Sequence, residues 1–503
     1  MKKNRFLLVI AALFAITSCK KEFLDTTATN QAPDQAIFST TSNAANVING
    51  IYRYMNFRFS SQNQPGHGGI MLMLDFMGED IHQSASNWFT SGSGTGNWIT
   101  HRNANSVYVQ YPFRLYYRAI GNANTIIDNI DNATGTVADK NRLKAEALTI
   151  RAFAYANLVQ IYAKRYVPGQ NNTQLGLSMP LTAQDVKLPR STVEEVYTQI
   201  NKDLDDAIAL FAAANPLPVN LKGSEANLKS HLQIHAARAI KARVALTQGR
   251  YDVAANFAKQ VIDAGTYTLM SNTQYQSGFN DISNPEWIWG AYEQVDQNDQ
   301  FGSFHAQISW DANTTYVRGQ PKRINRALYD QISATDVRKK MWEPAPTATN
   351  FPLPTSAYVR EPYMSRKFKT RTAPTVGDVP YIRLAEMYLI MAEANARSGK
   401  EPEARQALFT LARNRDPQYA LSTNTGQALI DEILIQRRVE LWAEGFRWFD
   451  LKRLNLPLDR TTVPNYVSTS VAGTMQIPAG DDRWVFVIPQ LEIQANPNTV
   501  QNP

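Results

Sequence analysis

A mainly α-helical fold is predicted, in which paired helices (α/α) form a scaffold and a large loop-rich region with a few short strands rides on it. Three observations predict it. Apolar residues recur at steps of three and four through most of the chain, as in Leu143, Ala147, Ile150, Ala154, Leu158 and Ile161, so each such stretch has a face to bury. Two of these stretches turn at a glycine with small residues at matching offsets: Ala242, Gly249 and Ala254 in one, Ala392, Gly399 and Ala404 in the other. Segments 60–110, 266–325 and 343–380 are rich in Gly, Ser, Asn, Pro and aromatic residues, and loops that long inside a compact protein usually carry function.

In chain order, the periodicity places helices at 111–130, 141–165, 193–213, 231–248, 251–264, 381–398, 402–413 and 427–442. Gly249 and Gly399 each separate two helices, where a left-handed turn costs glycine least. The repeated hairpin resembles the tetratricopeptide unit, which buries its face only by stacking on neighbours. Residues 287–292 and 484–488 read as short strands. With 503 residues, 44% hydrophobic and 10% aromatic, the chain can build a large core, which excludes general disorder. Without residues 1–18, which carry Lys2, Lys3 and Arg5 and no acid, the formal charge of +7 becomes +4, too small to argue for nucleic acid or a strongly anionic ligand.

The opening MKKNRFLLVIAALFAITSCKKEFLD has a basic start and an apolar stretch from Phe6 to Ile16, the length of a secretory signal and too short for a permanent membrane span. Ile16-Thr17-Ser18-Cys19 resembles a bacterial lipobox, which makes Cys19 the expected lipidation site. Acyl chains contribute about 0.8 kcal/mol per buried methylene, so two or three anchor stably. No other cysteine exists, so core packing alone must stabilise the body. The expected organisation is a signal peptide at 1–18, a lipidated cysteine and flexible tether at 19–30, and a single domain at 31–503. Within it, 31–265 forms an N-terminal helical part with an aromatic loop, and 266–503 the C-terminal part.

Catalytic signatures are scarce. His231 and His235 stand four apart on a predicted helix, but no H-E-x-x-H occurs and no third ligand is evident, so neither a metal nor a cofactor is expected. SGSGTG (91–96) lacks the lysine and strand–helix context of a phosphate loop, and PGHGG (65–69) has no G-x-S-x-G elbow to serve. A glycosidase needs two carboxylates about 5–9 Å apart. Asp75, Glu79 and Asp80 in LDFMGED are the best candidates for such a pair.

The stretch RRVELWAEGFRWFDLKRLN (437–455) spreads its charges around a helix instead of converging them. Glu440 and Glu444 share a face and can pair with Arg and Lys; Gly445 ends the helix, and Phe446, Trp448 and Phe449 form an apolar plug. It reads as structural. It also resembles the hallmark helix of the SusD/RagB family of Bacteroidetes outer-membrane lipoproteins. YIRLAEMYLIMAEANARSG (381–399) resembles the helix that precedes it there, and FVIPQLEIQANPNTVQNP (486–503) is similar to the family's closing pattern. AEALTIRAFAYANLVQIYAKRY (145–166) and GNANTIIDNI (121–130) resemble its N-terminal helices, so the likeness covers nearly the whole chain.

The resemblance implies a SusD-like protein that is not an enzyme. It is expected on the cell surface, held in the outer membrane through acylated Cys19, binding a nutrient, most often an oligosaccharide or polysaccharide. It is expected to deliver that ligand to a SusC-like TonB-dependent transporter. A peptide ligand on the same architecture is the first alternative and a glycoside hydrolase the second; nucleic acid is not an expected partner. Sugar rings pack their C–H faces on flat aromatic rings, while planar polar side chains bind the hydroxyls. On that basis the expected ligand contacts are Trp88 and Trp98 with Asn87 and Asn97, in the polar loop SNWFTSGSGTGNW (86–98). Trp310 and Tyr316 in SWDANTTY, Tyr292, and Asp80 and Arg102 as polar partners complete the set. Trp287, Trp289, Trp442, Trp448 and Trp484 are expected to pack inside.

Overall fold

The computed structural model describes residues 37–84, 94–214, 229–372, 374–471 and 473–503. Its longer helices are α1 (Thr41–Asn56), α2 (Gly66–Asp75), α3 (Val107–Asn129), α4 (Val137–Tyr162), α5 (Val193–Ala212) and α6 (Ile234–Thr247). The series continues with α7 (Tyr251–Asp263), α8 (Leu384–Arg397), α9 (Glu401–Arg415), α10 (Gly426–Glu440) and α11 (Arg447–Arg453). Each predicted helix is present. Neighbours stack in series, α3 on α4, α4 on α5, α5 on α6, α6 on α7, α7 on α8 and α8 on α9 and α10, which is the hairpin array the repeats predict. Gly249 and Gly399 take φ of 69° and 76°, as the two matching turns require.

Local chemistry sets the helix limits. Thr192 and Glu195 form a reciprocal capping box on α5, and Thr136 caps α4 through the Asp139 amide. Pro112 lies inside α3, and there the Tyr162 hydroxyl enters the ladder, accepting from the Phe113 amide at 3.1 Å and donating to the Val109 carbonyl at 2.5 Å. Helix α4 is buried on every side from Ala145 to Val159, so its single apolar stripe understates its place at the centre of the stack. Its polar side chains are satisfied internally: Arg151 grips Asp203 through two nitrogens, and Glu146 receives Arg142, Tyr52 and His231. His231 therefore precedes α6 instead of lying on it, and does not share a helical face with His235.

Strands are short. β1 (Ile81–His82), β5 (Arg323–Ile324), β7 (Met364–Ser365) and β6 (Trp342–Glu343) form an antiparallel sheet in that order. β2 (Leu175–Ser178) pairs with β3 (Arg190–Thr192), and β9 (Leu458–Asp459) with β10 (Gln476–Ile477). β4 (Trp287–Ala291) pairs antiparallel with β8 (Val379–Arg383), so the predicted helix at 381–398 yields its first turn to a strand. Residues 484–488 are not a strand. Their extended backbone donates to the Ile161 carbonyl at the end of α4 and to the His101 carbonyl, neither of which belongs to a sheet.

The charged stretch at 437–455 is structural. Arg383, at the end of β8, binds Glu286, Glu440 and Glu444; Arg415 binds Glu286 at 2.7 Å and Glu440 at 3.0 Å. Arg338 joins Asp336 to Glu440, and Lys367 binds Glu444 at 2.7 Å. Four cations meet four carboxylates, all buried, as buried charge must be to be tolerated. Burial alone would raise Glu440, but Arg415, Arg383 and Arg338 hold it far below the carboxylate range. After α10 the chain turns back through Ala443 (φ 61°) and Gly445 (φ 85°), where a Cβ would strike the Met71 backbone and side chain.

Candidate functional site

The loop-rich face is built on a rigid base around β1. Ser84, just after β1, donates to Glu361, whose other oxygen is held by Arg323 at 2.9 Å. On the far side, the buried Arg460 spends its guanidinium entirely on backbone carbonyls, those of Phe76, Met77, Gly78, Gly96 and Thr474. That cation ties the turn after α2 to residues 94–97. Sequence reasoning missed it, because nothing around Arg460 in LDRTT marks it as a hub; only the fold supplies five carbonyls.

Several expected contacts turn out to be parts of this base. Trp98 is 1% exposed; its indole N–H donates to the Met77 carbonyl and its ring meets Trp484 edge-on at 4.6 Å. Asn97 is buried and caps the following turn through the Ile99 and Thr100 amides. Asp80 is buried against Arg438, and Arg102 donates to the carbonyls of Asp482, Val485 and Pro503, pinning the C-terminus. Trp98, Asn97 and Asp80 are therefore structural and not open ligand contacts, because each is buried with its polar groups spent inside the protein; Arg102 is partly exposed, but its donors are spent on backbone carbonyls. Tyr316 is also covered, its hydroxyl donating to Gln62, and burial raises its pKa. Asn87, Trp88 and Cys19 lie outside the described residues.

LDFMGED is likewise committed. The Asp75 carboxylate accepts from the Gly445 and Arg447 amides, and burial pushes its pKa up to about 7. Burial would raise Glu79 too, but Arg447 and Arg438 hold it below the usual carboxylate range. This trio clamps the turn after α10, and the cavity that Asp75 and Asp80 line is only about 10 Å³, too small for a glycosidic bond to lie between two carboxylates.

Two aromatics remain open. Trp310 is half-exposed, steadied by an edge-on contact to Phe351 at 5.4 Å, with the exposed Asn313 and Thr315 close along the chain. Tyr292 is 36% exposed and borders a polar cavity of about 170 Å³ with Phe57, Arg58, Asp299 and Gly302. Both hang on one segment. The Trp310 amide donates to the Phe368 carbonyl, and Asp311 accepts from the Thr370 amide at 2.9 Å and hydroxyl at 3.0 Å. The next residue, Arg371, lies over the Tyr292 ring at 5.7 Å and donates to the Glu293 carbonyl. Val359 donates to the Arg318 carbonyl, tying the stretch that carries Glu361 to the end of the short helix after Trp310. Among the described residues no group of three or more His, Cys, Asp or Glu could hold a metal, and no helix is long and apolar enough to cross a membrane.

Residues 246–503 match a family described as the SusD family, and residues 22–246 match one described as starch-binding and associating with the outer membrane. The chain belongs to the SusD family. Among curated SusD-like relatives from Formosa agariphila, P38 is 33% identical over 102 residues, 18% of this chain and 20% of that protein. P2 is 24% identical over 501 residues, 91% of each chain. The matched lengths span a fifth of P38 and about half of P25. A SusD-like carbohydrate-binding protein from Bacteroides vulgatus superposes with a TM-score of 0.75 at 25% identity, covering 92% of this chain and 98% of that one. A surface glycan-binding protein A from Bacteroides fluxus shares the fold with a TM-score of 0.69 at 18% identity, covering 92% and 99%.

Proposed function

We propose that this SusD-family protein captures a glycan on its loop-rich face and performs no bond-breaking. The observation that carries the reading is Trp310, a half-exposed indole held edge-on from behind, on the same 368–371 segment that supports the open Tyr292 ring. Rigid aromatic rings with amide and hydroxyl neighbours suit a sugar, whose C–H face packs and whose hydroxyls hydrogen-bond. Trp88 and Asn87, in the polar glycine-rich stretch 86–98, are retained as further contacts on the sequence pattern. The carboxylates of LDFMGED, turned onto amides and arginines, support binding over hydrolysis.

In the same reading, Cys19 carries the lipid that holds the domain at the outer-membrane surface, and a SusC-like transporter receives the ligand. Affinity electrophoresis of the intact protein against neutral polysaccharides tests the site. Retardation that Trp310→Ala abolishes is the expected result; retardation unchanged in that variant moves the site elsewhere, and peptides co-purifying in place of sugars would overturn the ligand class.

A further inference from the structure

A second groove lies between α1, α3 and the C-terminal tail. Its volume is about 450 Å³, and it shares no lining residue with the surroundings of Trp310 or Tyr292. Arg114 and Arg118 project into it from one face of α3, a single turn apart and so separated by about 6 Å of rise. Each guanidinium rests on a ring: Arg114 over Phe59 at 5.3 Å and Arg118 over Tyr54 at 4.5 Å. A guanidinium held beside an aromatic ring keeps its charge and can still offer N–H donors to a ligand, although Arg118 also hydrogen-bonds the Tyr54 hydroxyl.

Both arginines are exposed, and neither forms an ion pair with a carboxylate among the described residues. The two acids that line the groove look elsewhere. Asp185 accepts from the Leu181 and Thr182 amides at 2.8 and 2.9 Å, and Glu492 from Asn496 and Thr499. The exposed Lys187, with φ of 52°, adds a third cation to the rim, and Tyr117 forms part of the wall, its hydroxyl donating to the Ser178 carbonyl.

We propose that this groove binds a carboxylated sugar, a uronate-bearing glycan whose carboxylates are taken bidentately by Arg114 and Arg118. Carboxylates fit the two exposed guanidinium groups, and the partly exposed Tyr117 ring in the wall suits a sugar ring better than an extended acidic peptide, which has no flat C–H face to pack. The ligand class rests on the glycan-binding reading above; the location does not.

Calorimetry on the intact protein tests it, with a tetrameric galacturonate and its carboxyl-reduced neutral counterpart as probes. The wild type is expected to bind the uronate at least about tenfold more tightly than the neutral oligomer, with affinity falling as salt rises. The double variant Arg114→Gln/Arg118→Gln is expected to lose that preference while keeping its melting temperature. Arg114→Lys/Arg118→Lys is expected to lose part of it, because the charge stays and the planar fork goes. Equal binding of the two oligomers by the wild type, or full uronate affinity in the glutamine variant, overturns the groove. Displacement of the uronate by a glutamate oligopeptide at lower concentration than by the uronate itself overturns the sugar in favour of an acidic protein segment. Uronate binding lost while Trp310-dependent binding of neutral glycans persists sinks only this site; loss of both sinks the glycan reading itself.

Discussion

The ion-paired core around α10 and the open segment around Trp310 use similar residue types to opposite ends. In the core, Arg383 faces three carboxylates and each has a further cation, so every charge is consumed by a neighbour. At Trp310 the ring is steadied by an edge-on contact to Phe351 and is only partly covered. Saturated charge makes architecture, and unsatisfied aromatic surface makes a site. The largest expected effect breaks the first half of that contrast. Arg383→Leu strands Glu286, Glu440 and Glu444 together in the interior, and a loss of about 5 kcal/mol or failure to fold is expected in chemical denaturation. A near-neutral result would mean the network relaxes or takes in water, and that its saturation does not hold the C-terminal half together.

Trp98 sharpens the same contrast, because its sequence neighbours resemble those of an open loop while its surroundings are core. Trp98→Ala should cost about 3–5 kcal/mol by denaturation, through the cavity left against Trp484 and the loss of the indole bond to the Met77 carbonyl, which keeps Arg460 as a donor. Full stability in that variant, with glycan affinity lost, would restore Trp98 to the site.

The case shows where sequence reading stops. Helices α3 to α10 were legible because a periodic apolar face is a local property, and the same holds for the matched glycine turns. The burial of Trp98 was not, since its partner Trp484 is hundreds of residues away and the intervening loop is Gly- and Asn-rich. Arg102 and Arg460 were opaque for the same reason: their partners are backbone carbonyls, which leave no mark in a sequence. The partial exposure of Trp310 was legible because its polar setting, SWDANTTY, is a local property, while its role as a ligand contact rests on the proposal above.

A smaller effect on stability, but a decisive one on binding, is expected at Trp310. Trp310→Ala removes an indole already half in water, so a cost of about 1 kcal/mol is expected against a loss of about tenfold or more in glycan affinity. Thermal unfolding and affinity electrophoresis on the same preparation separate the two. A variant that loses several kcal/mol would place this ring with Trp98 among the structural residues and leave the loop face without its anchor.

The last expected effect is one of pH, at Asp75, where a buried carboxylate lacks the cation that Glu440 enjoys. Its pKa is raised from the ordinary aspartate value to about 7 by burial, against the two amide hydrogen bonds that favour the charged form. A folded-state pKa above the unfolded one means the contribution to stability is complete below the unfolded value and is lost as pH rises through about 7. Asp75→Asn cannot ionise and keeps an acceptor for one of the Gly445 and Arg447 amides. Its stability relative to wild type should therefore improve by roughly 1 kcal/mol or more between about pH 4 and pH 8. Charges elsewhere cancel in that difference, since both proteins carry them. A difference that stays flat over this range, or runs the other way, would mean that the Gly445 and Arg447 amides hold the carboxylate ionised, and that the clamp on the turn after α10 is a charged one.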